Sequence, residues 1–425
     1  LFLISSKKLR PTALKTYYDW LRGEIEKNTP WDQLVRQVVT AKGDTLKNGA
    51  ANFYSIHQDP ETMAENVSQA FMSLSIGCAK CHNHPLEKWT NDQYYSFANL
   101  FARVRAKGWG GDARSGDGAR TLFIADRGDL IQPRTGKPQP PAPLDGQTIA
   151  IDSTEDRREA LANWLTSRKN PYFARSIANR VWANFFGRGI VEPVDDLRTS
   201  NPASNEPLLQ AISKYLAENN YDLKSLMRLI LRSETYRRSS RPLPENKGDQ
   251  KYFSRYYPRR LMAEVLQDAI TSVTRISPKY NKITLSDGST QGISLYRDGT
   301  RALQLSDSAV TSYFLKTFGR NEREITCECE RSNKPSMVQV LHLSNGNTLN
   351  NNLRNNQSCV NTLITQSNDA IIEDTYLLCL SRRPSNSERK RLQNIFEVAP
   401  ETQRRGVVED LFWALMTSRE FLFQH

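Results

Sequence analysis

Gly77-Cys78-Ala79-Lys80-Cys81-His82 stands between two helical stretches rich in apolar and aromatic residues. The upstream stretch starts at Asp59-Pro60-Glu61, carries Met63, Val67, Phe71 and Leu74 on one helical face, and is expected to run to Gly77. The downstream stretch opens with Thr90-Asn91-Asp92-Gln93 and carries Tyr94, Tyr95, Phe97, Leu100 and Phe101. Two thiols three positions apart can reach the two vinyl groups on one edge of a haem macrocycle, and the next residue is carried beneath the ring as an iron ligand. The aromatic helices supply apolar walls that keep water off such a ring. The motif therefore reads as one covalent haem c, with Cys78 and Cys81 as thioether anchors and His82 as the proximal ligand.

Other chemistries use the same residue types. Cys78 and Cys81 would suit a redox dithiol, but such pairs usually follow a strand in a βαβ unit, and no such pattern surrounds them. They would also suit half of a zinc site completed by His84 and His57, although no second Cys-x-x-Cys or spaced His pair is present. On the haem reading the sixth ligand is open. His57, at the start of the upstream helix, is free to fold over the far face and is the first candidate for a second metal ligand or distal residue. His84 lies too close to His82 to reach that face and suits a hydrogen-bonding role. Met63 and Met72 are core packing. Trp89 and Trp109 read as pocket walls, and Arg103, with Arg105 and Lys107, as partners for haem propionates. His342, alone in an apolar helix, reads as a satisfied core histidine.

The remaining cysteines, Cys327, Cys329, Cys359 and Cys379, permit two disulfides in an oxidising compartment, with connectivity open. Cys327-Glu328-Cys329 also fits a metal or redox pair, with structural bridging the favoured use. No Gly-x-Ser-x-Gly, Walker or Rossmann motif supports hydrolase, nucleotide or nicotinamide chemistry. The net charge of +12 is spread over helices with acidic partners, as in Glu155-Asp156-Arg157-Arg158, and is not gathered into a nucleic-acid-binding patch. It would steer an acidic redox partner protein to the surface. No apolar run is long enough to span a membrane. Leu1-Phe2-Leu3-Ile4-Ser5-Ser6 reads as the interior of an element, so the chain is expected to be incomplete at its N-terminus.

At 425 residues, two or three domains are expected. The fold class is mainly α, with two helical domains joined by a small β-containing insert rich in Gly and Pro. The boundaries read as 1–107 for the haem-binding domain, 108–150 for the insert and 151–425 for the C-terminal domain. Within the insert, Thr121–Ala125 and Asp129–Gln132 read as a hairpin. Helices are expected at Pro11–Asn28, Thr29–Gly43, Glu155–Ser167, Pro171–Phe186, Glu206–Glu218, Asp222–Tyr236 and Arg259–Thr274. The last third adds a series from Ser308 to Leu422 that includes a helix over Asn350–Gln366.

The segment Asn66–Thr90 resembles the core of an uncharacterised domain found in large planctomycete-type cytochrome-associated proteins. From Arg158 onward the chain is similar to the uncharacterised domain that usually follows it. The matching stretches are Asn170–Gly187, Ser233–Arg237, Tyr257–Glu264, Cys327–Ser332 and Leu341–Gly346. The resemblance implies a bound haem and an exported location, periplasmic or extracellular, but no reaction. Three functions follow. The first is an exported c-type haem protein that passes electrons. The second is a haem-dependent oxidoreductase acting on a small or carbohydrate substrate. The third is a non-haem scaffold with a structural Cys/His metal site.

Overall fold

Helices dominate the chain, as the spacing of its apolar residues requires. The computed structural model describes residues 1–57, 59–108, 118–331 and 335–424, with the side chain of Cys329 outside the description. Trp109 therefore lies outside the described residues. The first helices are Pro11–Glu26, Trp31–Val39, Pro60–Met72 and Asn91–Ala98. Two of them start on the signals present in the sequence. The Asp59 carboxylate accepts the Thr62 amide at 2.7 Å just before Pro60. Thr90 and Gln93 form a reciprocal capping box.

The Pro60–Met72 helix stops short of Gly77. Ser73 adopts a left-handed conformation with φ 54°. Its hydroxyl lies 2.7 Å from that of Ser176, and the Ser68 hydroxyl donates to the Leu74 carbonyl at 2.8 Å. The chain therefore turns before the Cys-x-x-Cys-His motif. The motif starts on a separate 3₁₀ turn, Gly77–Lys80, rather than following the helix directly.

The insert pairs differently from the expected hairpin. Thr121–Ile124 is the central strand of a three-stranded antiparallel sheet, flanked by Val104–Lys107 and Gly43–Asp44. Ile131–Gln132 pairs instead with Lys137–Pro138, across a turn that includes Gly136 at φ 66°. Leu122 and Val104 are buried beneath the sheet, so Thr121–Ile124 takes the partners that cover its apolar face.

The next helices, Arg157–Leu165, Phe173–Phe186, Glu206–Glu218 and Leu223–Arg232, join the first hydrophobic core rather than forming another. That core runs from Ile4 to Tyr256 and includes Phe71, Phe173 and Leu209. Fully burying each such side chain contributes about 1.5–3 kcal/mol. The Arg158 guanidinium is buried against Tyr54 and donates to the Ala41 carbonyl at 2.8 Å, fastening the post-insert helix to the first part of the chain. A second core begins at Ala263 and includes Leu266, Phe314, Ile371 and Phe412. The packing thus divides after Tyr256 and not at the insert. The expected helix over Asn350–Gln366 is two shorter ones, Asn347–Arg354 and Cys359–Leu363. Among the described residues, no helix is long and apolar enough to cross a membrane.

Candidate functional site

A cavity of 1460 Å³ opens where the Pro60–Met72 helix, the Leu74–Cys78 segment and the His84–Trp89 loop face two later segments, Glu192–Arg198 and Glu324–Arg331. The helix presents Glu65, Asn66 and Gln69, and His57 stands before its N-terminus. The later segments are fixed by named bonds. Asp195 accepts the Glu328 amide at 2.9 Å through its carboxylate and the Gln69 side chain at 2.8 Å through its carbonyl. The buried Arg180 donates to the Glu328 carboxylate at 3.0 Å and to the Gln69 carbonyl at 3.1 Å. Thr326 hydrogen-bonds to Asn66. Arg331 donates both guanidinium ends to Glu264, at 3.1 and 3.2 Å. Burial opposes ionisation of Glu264, but the Arg331 hydrogen bonds outweigh it and hold the carboxyl below its ordinary range.

The sequence-derived residues are partly gathered here. Cys78, His57, His84 and Trp89 line the cavity. Cys81 and His82 are exposed beside it and are not on its wall. Cys78 and Cys81 both carry free thiols. The His82 Nδ1 lies 2.7 Å from the Asn83 carbonyl. A carbonyl only accepts, so Nδ1 carries a proton, and in the neutral ring this leaves the lone pair on Nε2. His84 has the opposite arrangement: its Nδ1 accepts the Leu86 amide at 3.1 Å, which places the proton of the neutral ring on Nε2. His82 is thus the ring prepared to bind a metal, and His84 the ring prepared to donate a hydrogen bond.

The Nε2 of His57 is buried and has no hydrogen-bond partner among the described residues. Burial, and then the Lys8 ammonium, pull this imidazole down to about 4 against an opposing pull from Asp59, so the ring is neutral at pH 7. The buried indole N–H of Trp89 likewise has no partner among the described residues. Its ring packs edge-on to Tyr172 at 6.1 Å.

Arg103 is not on the wall. It is buried beneath the insert, where its guanidinium donates to the carbonyls of Gly128, Ser153 and Ile151. This corrects its assignment to a propionate: three carbonyls already occupy its donors. Arg105 is similarly spent on the Ala102 and Val104 carbonyls, and the Lys107 ammonium sits over the Phe123 ring. The wall is instead rich in carboxylates, with Glu65, Glu87, Glu192, Asp195, Asp196, Glu324 and Glu328 outnumbering Lys8, Arg198 and Arg331.

Among the remaining cysteines, Cys327 lines the cavity and is disulfide-bonded. Cys359 and Cys379 are free and buried in the second core. Burial pushes the Cys359 thiol up to about 11, and burial followed by the neighbouring Cys359 pushes Cys379 up to about 12. His342 meets Thr348 at 3.0 Å through Nε2 and packs against Phe314. Sequence reasoning assigned no role at this site to Asp195, Glu328 or Arg331. The signal available was the set of family-like stretches, since Arg180, Glu264, Cys327 and Arg331 all come from them and converge here.

The residues present fit a covalently held haem: two free thiols, one histidine with a metal-ready nitrogen, and an orphaned neutral His57 nitrogen on the adjoining wall. Among the described residues, no three His, Cys, Asp or Glu side chains are gathered for a metal.

Fold and wall together define a mainly helical chain with two cores and a cavity lined by cysteine and histidine. Residues 157–396, more than half of the chain, match the family described as protein of unknown function (DUF1553), and the chain belongs to that family. Residues 5–106 match the model of a second family, also described as protein of unknown function (DUF1549). No curated protein and no solved structure matches the chain.

Proposed function

We propose that this chain is an exported c-type haem protein that passes electrons. When bound, the haem supplies an iron that changes oxidation state. Cys78 and Cys81 offer the anchoring thiols and His82 offers Nε2. His57 provides a neutral ring on the cavity side, and His84 and Trp89 provide donors. The observation that carries the reading is the Nδ1 contact of His82 with the Asn83 carbonyl, at 2.7 Å, directly after two free thiols. Free thiols awaiting thioether bonds and a disulfide at Cys327 together suit the periplasm or the exterior. The net charge of +12 steers an acidic partner to the outer surface, while the carboxylate-rich wall repels it from the cavity.

The cavity volume of 1460 Å³ favours a second reading, a haem-dependent oxidoreductase with room for a small or carbohydrate substrate. A pyridine haemochrome spectrum on chain produced with haem-attachment machinery tests the cofactor. The expected result is one thioether-bound haem per chain, and folded protein without haem sinks both readings. His57→Ala then separates them. Loss of a low-spin spectrum marks His57 as the sixth ligand and supports electron transfer. An unchanged high-spin spectrum supports the oxidoreductase.

A further inference from the structure

One buried residue grips the Cys78–His82 turn on both sides. Asn91, the first residue of the Asn91–Ala98 helix, is 2% exposed. Its Nδ2 donates to the carbonyls of Ala79 and Lys80, the two residues between the cysteines, each at 2.9 Å. Its backbone amide, one of the four that a helix start leaves free, donates to the Asn83 side-chain oxygen at 3.0 Å. Asn91 therefore holds the chain immediately before and immediately after Cys81-His82. The peptide unit between Asn83 and His84 is fixed from a second direction. Its N–H donates to the Trp89 carbonyl at 2.8 Å. The unit is planar and trans, so its carbonyl is directed the opposite way, where it meets His82 Nδ1.

The insert supplies the next link. Gln132, fully buried, spends all the hydrogen-bonding capacity of its carboxamide. Its Nε2 donates to Asn91 Oδ1 and, at 2.7 Å, to Asp92. Its Oε1 accepts from Thr135 at 3.0 Å and from Gln139 at 2.6 Å. With donors facing acceptors at one end and the reverse at the other, only one of the two amide orientations is satisfied. Gln132 thereby orients the Asn91 carboxamide, 41 positions before it in the chain.

We infer that Asn91 is the positioning residue of the Cys78–His82 turn and that the insert, through Gln132, keeps it in place. Asn91 acts through the backbone it holds. Its grip on the Ala79 and Lys80 carbonyls fixes the path between the two thiols. Its grip on Asn83 keeps that residue's carbonyl on Nδ1, the contact that leaves the lone pair of the neutral His82 ring on Nε2. With haem bound, the same contact makes His82 a stronger donor to the iron and favours the oxidised state. That consequence rests on the haem reading; the hold itself does not. The insert is then a working part of the site and not only a joint in the chain.

The test begins on the full chain produced without haem attachment and labelled with ¹⁵N at its five histidines. At pH 8.5 the ring nitrogen shifts should show His82, identified by its absence from His82→Gln, protonated on Nδ1. Asn91→Ala should move the proton to Nε2, the tautomer that a free imidazole prefers. Gln132→Ala should make the same move from outside the turn and quicken exchange of the Ala79 and His84 amides at least tenfold. Both variants should leave the Asn368–Leu380 helix at parent protection. A parent chain with His82 protonated on Nε2 overturns the inference whatever the variants do. A parent-like tautomer in both variants overturns it too, as does exchange that quickens equally in both cores. With haem attached, Asn91→Ala should raise the reduction potential at unchanged haem content, and an unchanged potential overturns the effect on the iron. A parent chain that takes no haem ends the haem reading and leaves the tautomer result to judge the hold.

Discussion

A single nitrogen separates the histidines around the motif. His82 spends Nδ1 on the Asn83 carbonyl, His84 spends Nδ1 on the Leu86 amide, and the buried Nε2 of His57 is spent on nothing among the described residues. His57 has the largest thermodynamic consequence of the three. Its ring titrates near 4 in the fold against 6.5 when unfolded. Between those values the unfolded chain binds a proton that the folded chain refuses, so stability falls as pH drops from about 6.5 to about 4. In the chain without haem, this contribution is on the order of 1–3 kcal/mol across that window. Urea denaturation at stepped pH should show a shallower acid limb in His57→Gln than in the parent chain. Parallel limbs would mean that the ring is protonated in the fold. The candidate residues themselves were legible in the sequence, because cysteine and histidine are scarce and their spacing carries chemistry. Their tautomers and burial were not, since these depend on backbone groups that meet them only after folding. Arg103 illustrates the same limit: nothing in its neighbours announces that the carbonyls of residues 128, 151 and 153 will claim it.

Helix starts follow from local chemistry and helix ends less so. Asp59-Pro60 and Thr90 with Gln93 satisfy the first free amides of their helices from within the same turn, so both starts could be placed without tertiary information. The stop at Ser73 could not. A serine at φ 54° carries no compositional signal, and its hydroxyl meets Ser176, more than a hundred positions later in the chain. The insert failed for the same reason, since Thr121–Ile124 finds its partners in Val104–Lys107 and Gly43–Asp44 and not in its immediate successor. The capping box after the motif gives an element-level test. The Thr90 amide donates to Gln93 at 2.9 Å and the Thr90 hydroxyl accepts the Gln93 amide at 3.2 Å. Thr90→Ala removes the second bond and should lower stability by about 1 kcal/mol in chemical denaturation. Haem incorporation should stay at the parent level. A loss of haem with little loss of stability would instead place the Asn91–Ala98 helix in cofactor binding.

Among the described residues the two cores are separate apolar clusters, and polar clamps join them, several of these at the cavity. Ser6 donates its amide to Asp307 at 2.9 Å, Thr326 meets Asn66, and Arg180 meets Glu328. The segment that carries the Cys327 disulfide is thus held from the first core by Asn66, Arg180 and Asp195, and from the second by the bidentate pair of Arg331 with Glu264. Polar clamps fix orientation at modest net stability, because each charge gives up hydration for its partner. This suits a wall that must present particular groups to a cavity. Glu264 is the decisive member from the second core, since its side chain and that of Arg331 are only 14% and 23% exposed. Glu264→Gln keeps the shape but removes the charge, leaving a poorly hydrated guanidinium without its ion pair. The expected cost is about 1–3 kcal/mol, changing little between low and high salt because the pair is shielded from bulk ions. Hydrogen exchange should quicken in 324–331 while the Pro60–Met72 helix keeps its protection. Uniform quickening across both cores would show that the pair supports global stability, and an unchanged 324–331 would show that Asn66, Arg180 and Asp195 hold this wall without help from the second core.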